Sequence, residues 1–421
     1  MPHRRLLCCV ALSAVAAATA VPSVALAGTR YVRNAAGFNR AAALDAASGG
    51  RIVLLPGRYR DPLTVGRRST PQLTIVGARG AVVQSMALTG TRNVTVSHVA
   101  FRSLGGLGGL AVSGSRAITL SHLSFSALGT RGRSNLILQQ SRHVRVLDSN
   151  FSHCGDRLPR PVFCLALRVP SRTTIAGNTF HDCIGCDFVH GNLGRSTVIH
   201  ENRFARALAC PQATLKCQHD DLIELFSAKG LSISDNRFGV SQHGGAQLYL
   251  SGPVDHVRVA NNLFRRTDPR APGVVPVHGI VVGTLVDRRL PRKVVIVNNT
   301  ILSGKRKGSH PPTSIRLSPR YHLALGINRP VIANNVIARQ DVPIFACGLA
   351  RVSLRNVISS GFACTTKNQI GPANLNALGH PTAASTLLIN RASPRYAPRR
   401  DITGRLRGLW PDIGCFEYPV D

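Results

Sequence analysis

Residues 218–225 read QHDDLIEL and place a histidine and three acids within eight positions. The chain has only 19 Asp and Glu against 52 Lys and Arg, so this cluster is unusual for it. Neighbouring carboxylates that share a proton can divide acid and base work, as in glycoside hydrolysis. They can also bind Ca²⁺ through their oxygens and so bridge an acidic sugar to a protein. The third interpretation is a capped turn whose acids pair with nearby arginines and do no chemistry.

The cluster lies inside a repeat that runs through the chain. Segments such as VTVSHVAF and LSISDNRF recur nine times, and each ends in Phe or Ile. The end residues are Phe101, Phe125, Phe151, Phe180, Phe204, Phe238, Phe264, Ile301 and Ile337. They are 24 to 37 residues apart, and β-branched residues alternate inward and outward within the segments. A period of this length with strand-type alternation indicates a solenoid of short strands.

Six of the nine repeats also keep an asparagine at one position. These residues are Asn178, Asn202, Asn236, Asn262, Asn299 and Asn335. Asparagine tolerates left-handed backbone at a corner, and identical amides stacked coil on coil can hydrogen-bond along the axis. Helical and leucine-rich repeats fit poorly, because a 3.6-residue pattern is missing between the termini. The sequence therefore predicts a parallel β-helix.

In this repeat and in its two ends, the chain resembles right-handed parallel β-helix proteins of the pectate-lyase type. The stretch FNRAAALDAASGGRIVLLPGRYR is similar to the family's entry, a short helix that caps the open barrel before the first strand. The stretch PDIGCFEY is similar to the closing sequence of many secreted members. Solenoid ends need caps because they expose an apolar surface and an unpaired edge. We expect an all-β, right-handed parallel β-helix of about nine or ten coils, with one short helix at residues 38–47.

The first 27 residues have the three-part layout of a secretory signal, a basic start and an apolar run that ends in Ala-Leu-Ala. That ending favours cleavage over an uncleaved membrane anchor, and no later stretch reaches the ~18 apolar residues that span a bilayer. We expect a signal peptide at 1–27, an N-terminal cap and first strand at 28–65, repeats at 66–360 and a closing segment at 361–421. The mature chain is then a secreted monomer, extracellular or in the cell envelope, without a membrane span.

Charge and cysteine content bear on partners and compartment. The whole chain carries a formal charge of +33, which favours polyanions, and acidic polysaccharide or another anionic glycan is the class we expect. The alternative is arginine scattered over the surface without a partner. Nucleic acid is not expected, because the aromatic content is 5% and no aromatic platform accompanies the basic residues.

Nine cysteines follow residue 27, and export favours disulfides. Local pairing leaves Cys415 unpaired, and pairs between stacked coils stay open as an alternative. The local pairs are Cys154 with Cys164, Cys183 with Cys186, Cys210 with Cys217, and Cys347 with Cys364. Redox activity and zinc binding are less well supported, because CIGC lies in a β-coil and the spacing lacks a regular pair of C-x2-C motifs.

Counting back from the corner phenylalanines places the acid cluster against the preceding coil. Asp187 and Asp221 each lie 17 residues before their Phe, and His190 and Glu224 each lie 14 residues before it. Equivalent positions on adjacent coils are ~4.8 Å apart. The next coil adds two more polar residues to the same face. The predicted stripe consists of Asp187, His190, Asp221, Glu224, His243 and Tyr249.

The stripe also resembles the His-x-Asp-x-Ile-Gln stretch of many secreted β-helix proteins of unassigned activity, through His219, Asp221 and Ile223. Glu224 replaces the Gln of that motif. A looser similarity to polygalacturonases covers only the adjacent acids Asp220 and Asp221 and the histidine His243. The Asn-Thr-Asp and Arg-x-Lys sequences of those enzymes have no counterpart in this chain.

Taken together, these residues predict a secreted carbohydrate-active β-helix, a polysaccharide lyase or glycoside hydrolase acting on acidic polysaccharide. The candidate catalytic residues are His219, Asp220, Asp221 and Glu224. The candidate binding residues are Asp187, His190, His243, Tyr249 and Arg316. Arg316 would neutralise a uronate carboxylate, and Ca²⁺ is the cofactor that the carboxylates suggest. The alternative is a non-catalytic glycan-binding or cell-envelope module, because one scaffold hosts many activities.

Overall fold

The computed structural model describes residues 28–67, 71–103, 108–126, 134–154, 163–205, 207–208, 221–239, 245–265, 278–283, 289–302, 313–323, 328–338, 342–359 and 364–419. Over these ranges the chain winds as a right-handed parallel β-helix, so the expected fold class is confirmed. No helix within them has the length and hydropathy needed to cross a bilayer.

Each complete coil contributes strands to three faces. Face 1 consists of Leu63–Val65, Ser85–Thr89, Gly109–Ser113, Leu136–Gln139, Leu165–Arg168, the first parts of Val189–His200 and Ile223–Ser234, Ala246–Leu250, His278–Val282, Thr313–Leu317 and Val342–Phe345. Face 2 consists of Thr29–Val32, Gly50–Leu54, Leu73–Gly77, Arg92–Ser97, Arg116–Ser121, Arg142–Leu147, Thr174–Ala176, the second parts of Val189–His200 and Ile223–Ser234, Val254–Ala260, Arg292–Val297, Val331–Ala333 and Val352–Leu354.

Face 3 consists of Gly57–Tyr59, Ala81–Val83, Ala100–Arg102, Ser124–Ser126, Asn150–Ser152, Thr179–His181, Arg203–Phe204, Arg237–Phe238, Leu263–Arg265, Thr300–Leu302, Val336–Ala338, Val357–Ile358 and Gln369–Ile370. A separate short pair joins Cys183–Ile184 to Ala207–Leu208. Two 3-10 turns, Pro319–Leu323 and Cys347–Leu349, interrupt the last coils.

The α-helix Ala35–Ser48 follows the first strand, Thr29–Val32, and begins three residues before the predicted start. Asn34 caps it, because its side-chain oxygen accepts a hydrogen bond of 2.8 Å from the Gly37 amide. Phe38 is fully buried in the same core as the first rungs of the solenoid. The helix therefore covers the apolar end of the coil stack, as the sequence predicts.

The core of face 3 is a ladder of stacked phenylalanine rings. Consecutive rings from Phe101 to Phe264 lie 4.4 to 5.0 Å apart between centroids. The ladder continues through Val83 and Tyr59 at one end and Ile358 at the other. Face 3 thus has 13 strands among the described residues, more than the nine or ten coils expected from the repeat. The first coils escaped the sequence comparison because Tyr59 and Val83, rather than Phe or Ile, occupy their corner position.

The six predicted asparagines form a continuous buried ladder, which extends to Asn356 and Asn368. At each step the Nδ2 of one asparagine donates to the Oδ1 of the next at 2.9 to 3.0 Å. The backbone amide of each donates to the same oxygen. Residues that directly precede ladder asparagines adopt left-handed backbone, for example Asp235, whose φ is 60°. The ladder therefore satisfies the buried backbone of the corner between faces 2 and 3.

The closing segment packs along the side of the solenoid. Asn261, Asn298 and Asn334, which precede ladder asparagines, donate their Nδ2 protons to backbone carbonyls of residues 393–414. The apolar residues Cys415 and Phe416 bury against Leu263 of face 3. A second row of asparagine side chains thus fixes this segment to the coils.

Three of the four predicted local disulfides lie in the described ranges, and all three are formed: Cys154–Cys164, Cys183–Cys186 and Cys347–Cys364. Cys210 and Cys217 lie outside those ranges. Cys415 is a free thiol, and burial raises its pKa to about 12.

Thiol titration tests this assignment of the cysteines. Native protein without residues 1–27 should not react, because the thiol of Cys415 is buried and protonated. Denatured but unreduced protein should release about one thiol, and Cys415→Ser should release none. Seven or more thiols would contradict the disulfide assignment.

The asparagine ladder is tested by Asn236→Ala. This change removes an oxygen that accepts the Asn202 amide and an Nδ2 that donates to two carbonyls. Buried groups left unpaired should lower the free energy of unfolding by about 3 kcal/mol. The control is Ser232→Ala on the outer side of the same coil, which should stay within about 0.5 kcal/mol in urea unfolding. Equal stability of the two variants would contradict a structural role for the ladder.

Candidate active site

One outward position of face 1 repeats from coil to coil and forms a stripe. Strand pairing places these residues next to one another in the order Ala111, Ile137, Ala166, His190, Glu224, Tyr249, Val281 and Arg316. The middle of the stripe is polar, and its beginning is formed by small or apolar side chains. The pairing of His190 with Glu224 is the one that the corner count predicts.

His190 contacts two carboxylates through one ring nitrogen. Its Nδ1 lies 2.7 Å from the Asp187 Oδ2 and 3.1 Å from the Glu224 Oε2. Asp187 and Glu224 are both buried, whereas the His190 side chain keeps 16% of its surface exposed. Asp187 comes from the turn before the strand that holds His190, and Glu224 comes from the neighbouring coil. We call these three residues the His190 trio.

The trio is held together by charge. Burial lowers the pKa of His190, but hydrogen bonds and attraction from Asp187 and Glu224 outweigh it and raise the pKa to about 9. The imidazole is therefore a cation at neutral pH, and it compensates two carboxylates that would otherwise repel each other in a buried place.

Two aromatic rings confine the imidazole. Phe163 stacks on it with centroids 3.8 Å apart and planes within 5°, and Phe226 meets it edge-on at 5.2 Å. Gly191 pairs with Leu225 and Asn192 with Ser227, so Phe226 is an extra residue in its strand. Such a bulge redirects a side chain. The two rings fix the plane of the imidazole.

A groove of about 620 Å³ opens beside the trio on face 1. Its polar lining includes His190, Gln139, Arg168 and Asn192. Arg168 is exposed and pairs with Asn192 across adjacent strands. The groove therefore offers one exposed guanidinium and two amide side chains close to a buried, charged imidazole.

Asp221 lies beside Asp187 as counted, and both carboxylates bridge coils. The Asp221 amide donates to the Asp187 Oδ1 at 3.0 Å. The Asp221 Oδ1 in turn accepts a hydrogen bond from the Ala246 amide on the next coil. These two acids thus accept backbone amides at the start of successive face 1 strands. Such contacts correspond to the capped-turn interpretation of the acid cluster.

The other predicted residues have different positions. His219, Asp220 and His243 lie outside the described residues. Tyr249 is one coil beyond Glu224, next to it on the stripe. Arg316 is three coils beyond Glu224, and its guanidinium lies 3.4 Å from the Nε2 of His278. The structure therefore does not bring Arg316 into the trio.

The predicted site lacks several groove residues, among them Gln139, Phe163, Arg168, Asn192 and Phe226. Phe163 lies 17 residues before Phe180, as Asp187 and Asp221 lie 17 residues before their Phe, so the corner count is the signal that would have found it. Phe226 occupies a bulge, which a fixed period cannot predict. Arg168 is one of many arginines, and its position two residues after Ala166 on face 1 is the signal that would have found it.

The trio also bears on the suggested Ca²⁺. Asp187, His190 and Glu224 offer ligand atoms within 4.8 Å of one another. An imidazole nitrogen at the centre of the set suits Zn²⁺ or a similar metal, whereas Ca²⁺ takes oxygen ligands alone. The described residues of the trio thus do not fit Ca²⁺. A second cluster, Cys164 with Cys183 and Cys186, is engaged in disulfides.

No family model and no curated protein matches the sequence. Solved structures match the fold. A PL6 family alginate lyase, AlyGC, aligns over 92% of this chain and 57% of its own, with TM-score 0.50 and 14% identity. PfbA, a surface adhesin of Streptococcus pneumoniae, aligns over 77% and 80% with TM-score 0.50 and 12% identity. An alginate lyase from Paenibacillus sp. str. FPU-7 aligns over 76% and 98% with TM-score 0.49 and 12% identity.

The charge state of His190 predicts how stability depends on pH. Its folded pKa of about 9 exceeds the ordinary value of 6.5, so its contribution is complete below pH 6.5 and is lost as the pH rises through 9. The contribution is on the order of 3 kcal/mol. We expect His190→Asn to have its largest deficit in Tm near pH 6 and a much smaller deficit near pH 10.

The control for this measurement is His181→Asn. The Nδ1 of His181 also lies 2.7 Å from a carboxylate, that of Asp182, but on face 3. The Tm of His181→Asn should change with pH in the same way as the Tm of the wild type. A deficit of His190→Asn that does not change with pH would show that the imidazole is neutral in the fold.

Proposed function

We propose that the protein cleaves an acidic polysaccharide that lies along face 1, with His190 as the proton donor to the departing glycosidic oxygen. The observation that supports this proposal is the His190 trio. Two buried carboxylates contact one imidazole nitrogen, which is more buried charge than a capped turn requires. His190 of this trio also lines a groove. Burial of charged groups of this kind occurs preferentially at functional sites.

The proton chemistry follows from the raised pKa. An imidazolium with a pKa of about 9 is a weak acid that is almost fully protonated at neutral pH. Its Nδ1 is committed to Asp187 and Glu224, so we assign the transferred proton to Nε2. The carboxylates hold the ring in place, as an orienting acid does in other histidine-based sites.

The groove supports an anionic sugar as the substrate. Arg168 supplies an exposed guanidinium that can bind a uronate carboxylate through two hydrogen bonds. Gln139 and Asn192 supply donors and acceptors for hydroxyl groups. Phe226, half-buried on its bulge, adds an apolar wall. The groove lining thus combines a cation for a carboxylate, amides for hydroxyl groups and an apolar wall for a sugar ring.

We favour β-elimination over hydrolysis as the reaction. Hydrolases that invert need two carboxyl groups about 6.5–9.5 Å apart with water between them. Hydrolases that retain need one carboxylate free to attack the sugar. Asp187 and Glu224 instead are both buried and converge on one nitrogen, which suits neither arrangement. In elimination a base removes the proton at C5, a C4–C5 double bond forms, and the C4–O bond breaks as His190 protonates the oxygen. Tyr249, beside Glu224 on the stripe, is our candidate for the base.

A non-catalytic glycan-binding module is the second candidate. Asp187 and Asp221 both accept backbone amides of the next coil, which is structural work. The solved structures with this fold include both lyases and an adhesin, so the fold does not choose between the two. For either function we propose an extracellular or cell-envelope location, which the disulfides support.

The proposal is tested on a panel of alginate, polygalacturonate and neutral polysaccharides. His190→Asn should lower kcat by at least ~100-fold, whereas His181→Asn should leave it unchanged. Elimination yields unsaturated products that absorb in the ultraviolet, and hydrolysis yields reducing ends without that absorbance. Glu224→Gln removes one source of the raised pKa, so its activity should fall at a lower pH than that of the wild type.

Two results would contradict the catalytic proposal. The first is the absence of both product types with every polymer, although the wild type binds one of them. The second is turnover by His190→Asn that equals that of the wild type at a temperature where both are folded. Hydrolytic products with loss of activity in His190→Asn would keep His190 as the acid and replace elimination by hydrolysis.

A further inference from the structure

The closing segment exposes three large apolar side chains within five residues. Leu406 is 53% exposed, Leu409 is 88% exposed and Trp410 is 65% exposed. Trp410 is the only tryptophan of the chain. Apolar residues gathered in this way on a soluble surface mark an interaction site more often than an accident of packing.

Hydrogen bonds hold this segment in a defined shape. The Asp401 Oδ1 accepts the backbone amides of Thr403 and Arg405 at 2.9 Å, and Arg400 bridges Leu406 in an antiparallel pair. Arg407 is paired with the Glu417 carboxylate and donates to the Gly414 carbonyl. The exposure of the apolar tip is therefore a property of the folded segment.

The same segment is strongly basic. Residues 391–410 contain six arginines and one acid, Asp401. Five of the arginines are exposed: Arg391, Arg395, Arg399, Arg400 and Arg405. Asp401 is buried and bonded to backbone amides, so it offers little negative charge to the surface. Exposed positive charge thus lies next to the apolar tip, because the Arg407 amide donates to the Arg399 carbonyl and Arg400 bridges Leu406.

We propose that this segment is a docking surface for an anionic phospholipid bilayer. Arginines near an anionic membrane are attracted to its headgroups, and tryptophan prefers the interface between headgroups and acyl chains. Leu406 and Leu409 add aliphatic surface that gains by entering the acyl boundary. A soluble acidic glycan could stack on Trp410, but it would leave the two leucines in water. The apolar tip together with the basic surroundings therefore matches a lipid surface best.

The fluorescence of Trp410, the only tryptophan of the chain, reports binding in the test. Titration of folded protein with vesicles of phosphatidylglycerol and phosphatidylcholine should shift the tryptophan emission to shorter wavelength, and the protein should sediment with the vesicles. Pure phosphatidylcholine vesicles should bind at least ~10-fold more weakly, and added salt should weaken binding to the anionic ones.

Variants locate the surface. Leu409→Ser should weaken partition into anionic vesicles at least about fivefold, since it removes the most exposed apolar side chain. The double change Arg395→Gln with Arg399→Gln should weaken it by about tenfold or more. The matched controls are Tyr31→Ser, another exposed apolar residue, and Arg92→Gln with Arg116→Gln on face 2. Both controls should bind as the wild type does.

Several outcomes would overturn the proposal. One is the absence of an emission shift and of co-sedimentation with anionic vesicles. Another is equal loss of binding in the controls and in the segment variants, which would assign binding to overall charge. A third is an emission shift produced by a soluble acidic polysaccharide at lower concentration than by vesicles. A fourth is self-association of the protein that Leu409→Ser abolishes, which would make the segment an interface between two copies.

Discussion

The axial hydrogen bonds of the asparagine ladder set the register on which the rest of the structure depends. Each amide binds both the side chain and the backbone of its neighbour, so a coil cannot slip along the next without leaving buried polar groups unpaired. The ladder lies at the corner between faces 2 and 3. Its register is transmitted through face 2 to face 1, where it brings His190 of one coil beside Glu224 of the next.

This dependence explains which parts of the site the sequence predicts. Glu224 and His190 keep the same distance from their corner phenylalanines, so counting placed them together correctly. Tyr249 lies 15 residues before Phe264, one more than this count, and strand pairing nevertheless places it beside Glu224. The count failed where the period itself changes, at the bulge that carries Phe226. It also missed the outermost coils, where Tyr59 and Val83 stand in place of Phe. Register is encoded locally, whereas insertions and bulges depend on contacts between distant residues.

Charge in the trio differs from charge over the rest of the molecule. Arginine supplies most of the positive charge of the chain, which carries 52 Lys and Arg against 19 Asp and Glu. At face 1, by contrast, Asp187 and Glu224 are removed from water and share one imidazole. Low local dielectric strengthens their attraction to it, which is why the pKa of His190 rises in spite of its burial. A basic protein thus keeps a locally negative site next to Arg168.

The position of the site in each coil also follows from the ladder. The corner between faces 2 and 3 is nearly invariant, because the stacked amides exclude insertions there. Length differences between repeats, whose spacing ranges from 24 to 37 residues, fall instead at the two ends of face 1. One is between a face 1 strand and the next face 2 strand, as from Leu317 to Val331, and the other is the junction of a face 3 strand with the next face 1 strand. Asp187 and Asp221 lie at this junction and bind the backbone of the following coil. The fold therefore concentrates variable segments at the two edges of face 1, so new side chains can reach the groove without disturbing the register that positions His190.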